Sequence, residues 1–527
     1  MPRLDPLRGE RFDVAIIGGG IIGCGIARDA ALRGLRVALV DKRDFGSGTT
    51  AASTRIVHGG LRYLEMLDFR LVRLDLRERE TLLRIAPHLV KPLEFLIPFF
   101  RGGASALKMR LGLALYDALS YDKRLPSRRW LTGEAARAAD RALAATQPTG
   151  AAAYHDARVD SPERLSLENL LDAGRHHAVA LNYCEAASIS AAGERSIMRV
   201  RDVSTGSPTD ECDIDAGVVV NATGAWLETV TATLTGRRPL VIRTTKGVHL
   251  AFRALTDRAL VLFSRVDNRL MFAIPRAGLT WIGTTDTDFA GDPATARADP
   301  PDVDYLLQSV RHVFPALGPE DVLHTTAGVR ALVKAGGSES SVSRMHHIVS
   351  GPPVGPPGVI SVLGGKITGY RAIAEEVTDA LCRHLGVRDR RCTTAEAPLP
   401  GAAPPHAGQD GVAADPETFD HLSDLYGSRL TELIRLVMEN PQLGAPLSPR
   451  YRDIGAQVAL AVRQEHCVRL SDFMRRRTLL GASDDQGSDA APAAAAIMRA
   501  ELGWSAEREA AELEEYQRDI EWRLPPG

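Results

Sequence analysis

Apolar residues recur at strand period at 194–203, 240–252, 269–275 and 280–284, and continuous apolar runs at 218–220 and 359–363 read as buried strands. Helical spacing replaces them at 68–84, where leucines and arginines alternate in FRLVRLDLRERETLLR, and again at 165–173 and 370–385. The pattern breaks at 398–415, PLPGAAPPHAGQDGVAAD, whose prolines, glycines and alanines mark an exposed linker. Beyond it, strand signals vanish and helical periodicity dominates, as in FDHLSDLYGSRLTELIRLV and AQVALAVRQEHCVRLSDFMRRR. Residues 482–496 read as a loop opening into a short alanine-rich helix. The expected organisation is a body over 1–397, a linker over 398–415 and an α-helical domain over 416–527. The last is either a cap packed on the body or a partner-binding module.

The strongest local pattern runs from Phe12 to Asp41, FDVAIIGGGIIGCGIARDAALRGLRVALVD. It reads as strand, glycine-rich turn, helix, second strand and terminal acid. Gly18 permits a tight turn, Gly20 lets the backbone approach a pyrophosphate, and Gly23 lets the helix pack on the strand. The helix N-terminus favours the phosphates. Asp41 stands where a carboxylate accepts from ribose hydroxyls, which disfavours a 2′-phosphate. The fold class is therefore α/β with a Rossmann-like domain, and the ligand is FAD or NAD rather than NADP.

Further ligand-like turns lie hundreds of residues away. Asn221-Ala222-Thr223-Gly224-Ala225-Trp226 follows one buried strand, with Thr223 and Gly224 as contact candidates. Gly364-Gly365-Lys366-Ile367-Thr368 follows another and leads into a helix, a second anion-accepting N-terminus with a fixed positive charge at Lys366. Two separated strand–glycine–helix elements around one cofactor suit FAD, and a cation beside the flavin would stabilise its reduced, anionic ring.

A length of 527 residues implies two or three domains. Hydrophobic content of 44% with a net charge of -2 indicates a globular protein with no global pull toward nucleic acid. No apolar run reaches the ~20 residues needed to span a bilayer, and the N-terminus lacks the apolar core of a signal peptide. The expected location is cytoplasmic, with any membrane contact made from the side. Residues 101–130 combine apolar positions with flanking lysine and arginine. They read either as a helix at the membrane interface or as a core helix with a solvated basic end. The six scattered cysteines form no CxxC, so reduced thiols and no metal are expected.

The chain resembles the FAD-dependent, quinone-linked glycerol-3-phosphate dehydrogenases along nearly its whole length. The resemblance is carried by the first glycine turn, SGTTAASTRIVHGGLRYLE, NATGAW, KGVH, IGTTDTDF, AGVRALV, GGKITGYR, TTAEAPLPG and MRRRT, in that order. It implies a D-amino-acid-oxidase-like body, with FAD-binding and antiparallel-sheet substrate parts interleaved, plus the helical domain. It also implies oxidation of sn-glycerol 3-phosphate to dihydroxyacetone phosphate, with electrons passed to membrane quinone at a peripherally bound enzyme; a homodimer is left open. For the cofactor the resemblance adds Thr50, Ser53, Gly365, Lys366 and Thr368 to Gly18, Gly20, Gly23, Asp41, Thr223 and Gly224. For the substrate it points to Arg62, Tyr63, Arg330, Arg344 and Lys366, arginine being suited to bidentate phosphate binding. Arg330 is also placed to polarise the alkoxide. His58 or His249 is the base, His58 favoured because it lies in the segment expected near the flavin. Ala331 replaces the proline of most relatives, and Gly369 stands where many have threonine. The nearest alternative is an oxidase that passes electrons to oxygen and releases hydrogen peroxide. An alternative of another class is a non-catalytic FAD-binding interaction protein.

Overall fold

The computed structural model describes residues 2–526 except 102–105, 207, 209, 240, 334–345, 352–357 and 404–415. Two mixed β-sheets form the body. The first runs in the order His347–Ser350, Val359–Leu363, Asp210–Asn221, Arg11–Ile17, Val37–Val40, Val179–Leu181. Its neighbours are parallel except for the edge pair that begins it. The antiparallel hairpin Cys184–Ala192 and Arg195–Asp202 is added along Asp210–Asn221.

Both faces of this sheet are covered, which is why its central strands read as continuous apolar runs. Val14, Ile16, Val37, Leu39, Val218, Val220, Ile360 and Val362 pack with residues of the helices Ile21–Leu32 and Tyr370–His384. Ala15, Ile17, Ala38, Val40 and Val219 share a second core with Met198, Val200 and Ile214. Ile17 pairs with Asn221, and Asn221 with Ser361. The glycine turns that follow these three strands therefore open along one edge, outside the carboxyl ends where open α/β sheets bind ligands.

The second sheet is centred on Ile242–Arg253, flanked by Leu279–Gly283 and by His324–Val333. It continues through Leu270–Arg276, Ala259–Phe263, Val90–Phe99 and Gly150–Val159 to Ile56–Val57. The strands expected at 194–203, 240–252, 269–275 and 280–284 appear as Arg195–Asp202, Ile242–Arg253, Leu270–Arg276 and Leu279–Gly283. The helix expected at 68–84 is Phe69–Ile85, its first turn capped by the Asp68 carboxylate accepting from Leu71 N–H.

From residue 416 onward helices dominate: Pro416–Tyr426, Leu430–Glu439, Gly455–Gln464, Ala491–Leu502 and Ala506–Trp522, with a π-helical turn at Phe473–Arg477. They pack on the body through buried charge, Glu465 lying 3.2 Å from Arg164 and Arg429 lying 3.4 Å from Glu168. The start of the expected linker differs from an exposed tether. Leu399 is buried, with its N–H on the Ile85 carbonyl, and Gly401 N–H donates to Glu168 Oε2. Satisfying these backbone groups inside the body pins the chain before 404–415, which lie outside the described residues.

Candidate active site

The two sheets enclose a cavity of about 580 Å³. Its dinucleotide end is shaped by one steric contact. Gly18 has φ +106°, and a Cβ there would lie 2.8 Å from the Ala222 carbonyl oxygen, so the first turn touches the turn after Asp210–Asn221. A Cβ on Gly23 would lie 1.9 Å from the Gly18 carbonyl. Gly23 therefore supports the turn by close packing, while Gly18 and Gly20 line the cavity. Gly20 caps the helix Ile21–Leu32, and Ile21 N–H donates to Thr50 Oγ1 at 3.1 Å. Asp41 Oδ2 accepts from Gly19 N–H at 2.7 Å, and Oδ1 from Arg43 N–H at 2.8 Å. Burial outweighs these bonds and pushes the carboxyl up to about 6. Ser53, Thr223 and Gly224 line the same cavity, Thr223 oriented by its hydroxyl bond to Asn221 Oδ1.

Gly365, Lys366 and Thr368 enter from the turn after Val359–Leu363. Gly365 has φ +106°, where other residues are strained. Lys366 Nζ pairs with the buried carboxylate of Asp75 and lies 4.0 Å from the centroid of the Tyr63 ring. Burial pushes Asp75 up to about 6, the lysine opposing that rise. Thr368 Oγ1 accepts from His58 N–H at 3.2 Å. This bond ties the turn after Val359–Leu363 to the HGGLRY segment.

The chemical end is built by the second sheet. His58 follows the strand Ile56–Val57 and meets Phe272 edge-on, ring centroids 6.3 Å apart. His249 pairs with Gly283 and Thr326 on its neighbouring strands, and its Nε2 lies 3.1 Å from Thr54 Oγ1. Burial, with Arg330, Arg55 and Arg276 nearby, pulls His249 down to about 3, so this imidazole is neutral at physiological pH. Arg330, opposite Thr245 in the ladder, donates from Nη2 to Thr284 Oγ1 and from Nη1 to the Thr285 carbonyl and to Asp286.

Asp286 also pairs with Arg269 at 3.4 Å, so one carboxylate braces two guanidinium groups at the cavity wall. Sequence reasoning did not single out Arg269 or Asp75. Arg269 precedes the strand Leu270–Arg276, which carries no glycine or histidine motif, and Asp75, on the buried face of a long helix, is one acid among many charges in its sequence. Tyr154 and Phe272, also unforeseen, complete an aromatic wall. Arg62 belongs to the helix Leu61–Glu65, but its side chain lies outside the described residues, as does all of Arg344.

A glycine cradle, a carboxylate at the second strand and a cationic turn at the far end of one crevice fit a dinucleotide carrying a redox ring. The fold and site define an FAD-dependent oxidoreductase. Residues 13–379 match the family described as FAD dependent oxidoreductase, and residues 392–509 match the C-terminal domain of alpha-glycerophosphate oxidase. The chain is 36% identical to a glycerol-3-phosphate dehydrogenase of Synechocystis sp., across 100% of this chain and 99% of the relative. It is 35% identical to one of Mycobacterium leprae, across 97% and 88%. The solved glycerol-3-phosphate dehydrogenase of Bacillus halodurans, complexed with FAD, superposes with a TM-score of 0.79 at 27% identity, covering 99% of this chain and 97% of that one. The chain belongs to the family of FAD-dependent glycerol-3-phosphate dehydrogenases.

Proposed function

We propose that this protein oxidises sn-glycerol 3-phosphate to dihydroxyacetone phosphate and passes the electrons to membrane quinone. The observation that carries the reading is the pair Arg330 and Arg269, braced on Asp286 in a cavity that also holds His58, His249 and Lys366. FAD, held in this cavity, would supply the acceptor for the hydride leaving C2 of the substrate. The residues do the rest. Asp286, Thr284 and the Thr285 carbonyl fix the plane of the Arg330 fork, which orients it for phosphate or for the developing alkoxide. His58 takes the hydroxyl proton, its backbone set by Thr368. His249, held neutral beside Thr54, offers a hydrogen-bonding group without adding charge. Tyr63 and Phe272 line the same space and limit water there. Gly18, Gly20, Asp41, Thr50, Ser53, Thr223, Gly224 and Gly365 hold the cofactor, with Gly23 packing the turn from behind.

Anaerobic addition of sn-glycerol 3-phosphate should bleach the flavin absorbance of the holoenzyme; a spectrum that stays oxidised would sink the reading. Reduction of a quinone analogue faster than peroxide formation in air separates the dehydrogenase from an oxidase. Arg330→Ala should abolish turnover while FAD stays bound.

Peripheral attachment to the cytoplasmic membrane belongs to the same proposal. On the helix Ala106–Leu119, Leu107, Leu111 and Leu115 are exposed at i, i+4 and i+8, on one face. Met66, Leu67 and Phe69 are exposed where the adjoining helix Leu61–Glu65 ends, beside the cavity. The helix also carries exposed Lys108 and Arg110, so apolar and basic groups share a surface suited to a lipid interface. No helix among the described residues is long and apolar enough to cross a membrane.

A further inference from the structure

The motif MRRRT at 474–478 takes no part in the chemistry above, yet its last two arginines leave their own domain. Arg475 stays within the helical region, bonded to Asp519, Gln486 and the Gly481 carbonyl. Arg477 instead forms a bidentate pair with Asp44, at 2.9 Å from each guanidinium nitrogen, and Arg476 Nε donates to Asp44 Oδ2 at 2.6 Å. A fourth bond to Asp44 comes from Asn182 Nδ2, which also donates to the His466 carbonyl. Asp44 is 1% exposed. With Asp472, which accepts from Arg476 and from the Tyr183 hydroxyl, the group contains two carboxylates and two guanidiniums, all buried except Arg476, whose side chain keeps 12% of its surface exposed. The arginines hold the Asp44 carboxyl well below the usual carboxylate range despite its burial.

Asp44 lies three residues after Asp41, in the loop that leads to Thr50. The next residue, Phe45, is also buried and bridges the two regions. Its ring meets that of His466 edge-on at 5.4 Å. Its other side lies on the phosphate turn, since a Cβ on Gly19 would be 2.4 Å from Phe45 Cδ1. Gly46 N–H then donates to the Gly19 carbonyl at 2.8 Å. The loop that carries the ribose acid and flanks the glycine turn is thus fastened, at two successive residues, to a segment more than 400 positions away.

We propose that residues 466–477 of the helical domain are a latch on the loop 41–50 and set how firmly the adenine half of FAD is held. Asp44, Phe45, Arg476 and Arg477 are positioning residues, acting on the cofactor through Asp41, Gly19 and Thr50. Loss of the latch frees Asp41 from its approach to the ribose and lets the turn breathe, so FAD leaves faster. This gives the helical domain a task beyond covering the body. The inference rests on assigning the adenine end of FAD to Gly18 and Asp41.

The test compares full-length holoenzyme variants. Arg476→Gln and Arg477→Gln should each release FAD at least about tenfold faster, followed by recovery of flavin fluorescence on dilution. In the same variants, hydrogen exchange of peptides spanning 41–50 should quicken. Arg475→Gln cuts comparable bonds wholly inside the helical domain and should leave both readouts at the wild-type level, even where it lowers the melting temperature. Arg476 is the less buried of the two arginines, so Arg476→Gln carries the test if Arg477→Gln fails to fold. Wild-type release from Arg476→Gln, or equal acceleration by Arg475→Gln, overturns the latch. Gly18→Ala tests the underlying site separately. If that variant binds FAD normally, the site assignment fails; if it loses FAD while Arg476→Gln does not, only the latch fails.

Discussion

Lys366, delivered by the turn after Val359–Leu363, forms an ion pair with Asp75 of the helix Phe69–Ile85. Asp75 is almost fully buried and Lys366 keeps only a fifth of its side-chain surface exposed. The pair fixes the ammonium over the Tyr63 ring, at the cavity wall. A carboxylate 291 residues upstream therefore decides where the Lys366 ammonium points.

Asp75→Asn should leave that ammonium without its counter-charge and free it from its place over the Tyr63 ring. Lys366→Met should cost less in the Asp75→Asn background than alone. A double-mutant cycle from denaturant unfolding checks this, and a coupling energy near zero would remove the pair from the account.

His249 is neutral across the working range, because burial and three arginines hold it near 3. Its titration then contributes nothing to a pH–rate limb between pH 5 and 9. His249→Asn should keep the acid limb of the kcat profile. His58→Asn should lower kcat by about 10²- to 10⁴-fold, as for loss of a general base. Loss of the acid limb in His249→Asn alone would reverse the two roles.

Desolvation pushes the Asp41 carboxyl up to about 6. In the proposed role the carboxylate would accept from the ribose hydroxyls above that pH; as pH falls through 6 it is protonated and would lose acceptor strength. FAD affinity should therefore fall on acidification, by up to about tenfold per pH unit below 6. Titration of the apoprotein with FAD at pH 7.5 and pH 5 measures this. Asp41→Asn should bind weakly at both and flatten the difference.

Leu107 and Leu111 are both 66% exposed on one helix face. If they enter lipid, replacing both by glutamate should weaken binding to anionic vesicles at least about tenfold, since burying a leucine stabilises by about 1.5–3 kcal/mol. Activity toward a soluble acceptor should persist. Unaltered sedimentation with vesicles would move the membrane contact elsewhere.

Much of the site was legible along the chain because its parts are local. Strand, glycine turn and helix are set by neighbours within a few residues, so Gly18, Gly23 and Gly365 stand out from their spacing alone. Lys366 stands out because it adjoins such a turn, whereas His58 comes from the resemblance carried by HGGLRYLE; the fold brings both to the cavity wall. Arg269, Asp75 and Asp44 do not stand out, because nothing beside them differs from an ordinary charged surface.

By itself the sequence determined several strands and helices, the dinucleotide turn and the onset of a helical region, while strands such as Val90–Phe99 and Gly150–Val159 emerged only in the fold. The former follow from short-range periodicity and backbone geometry. Only the tertiary structure decided which charges meet. Asp286 braces both Arg269 and Arg330, Asp75 pairs with Lys366, and Asp44 with Arg476 and Arg477, across separations of up to 433 residues. A buried charge must find a partner wherever folding brings one. That partner is chosen by strand order and domain packing, which local patterning does not encode.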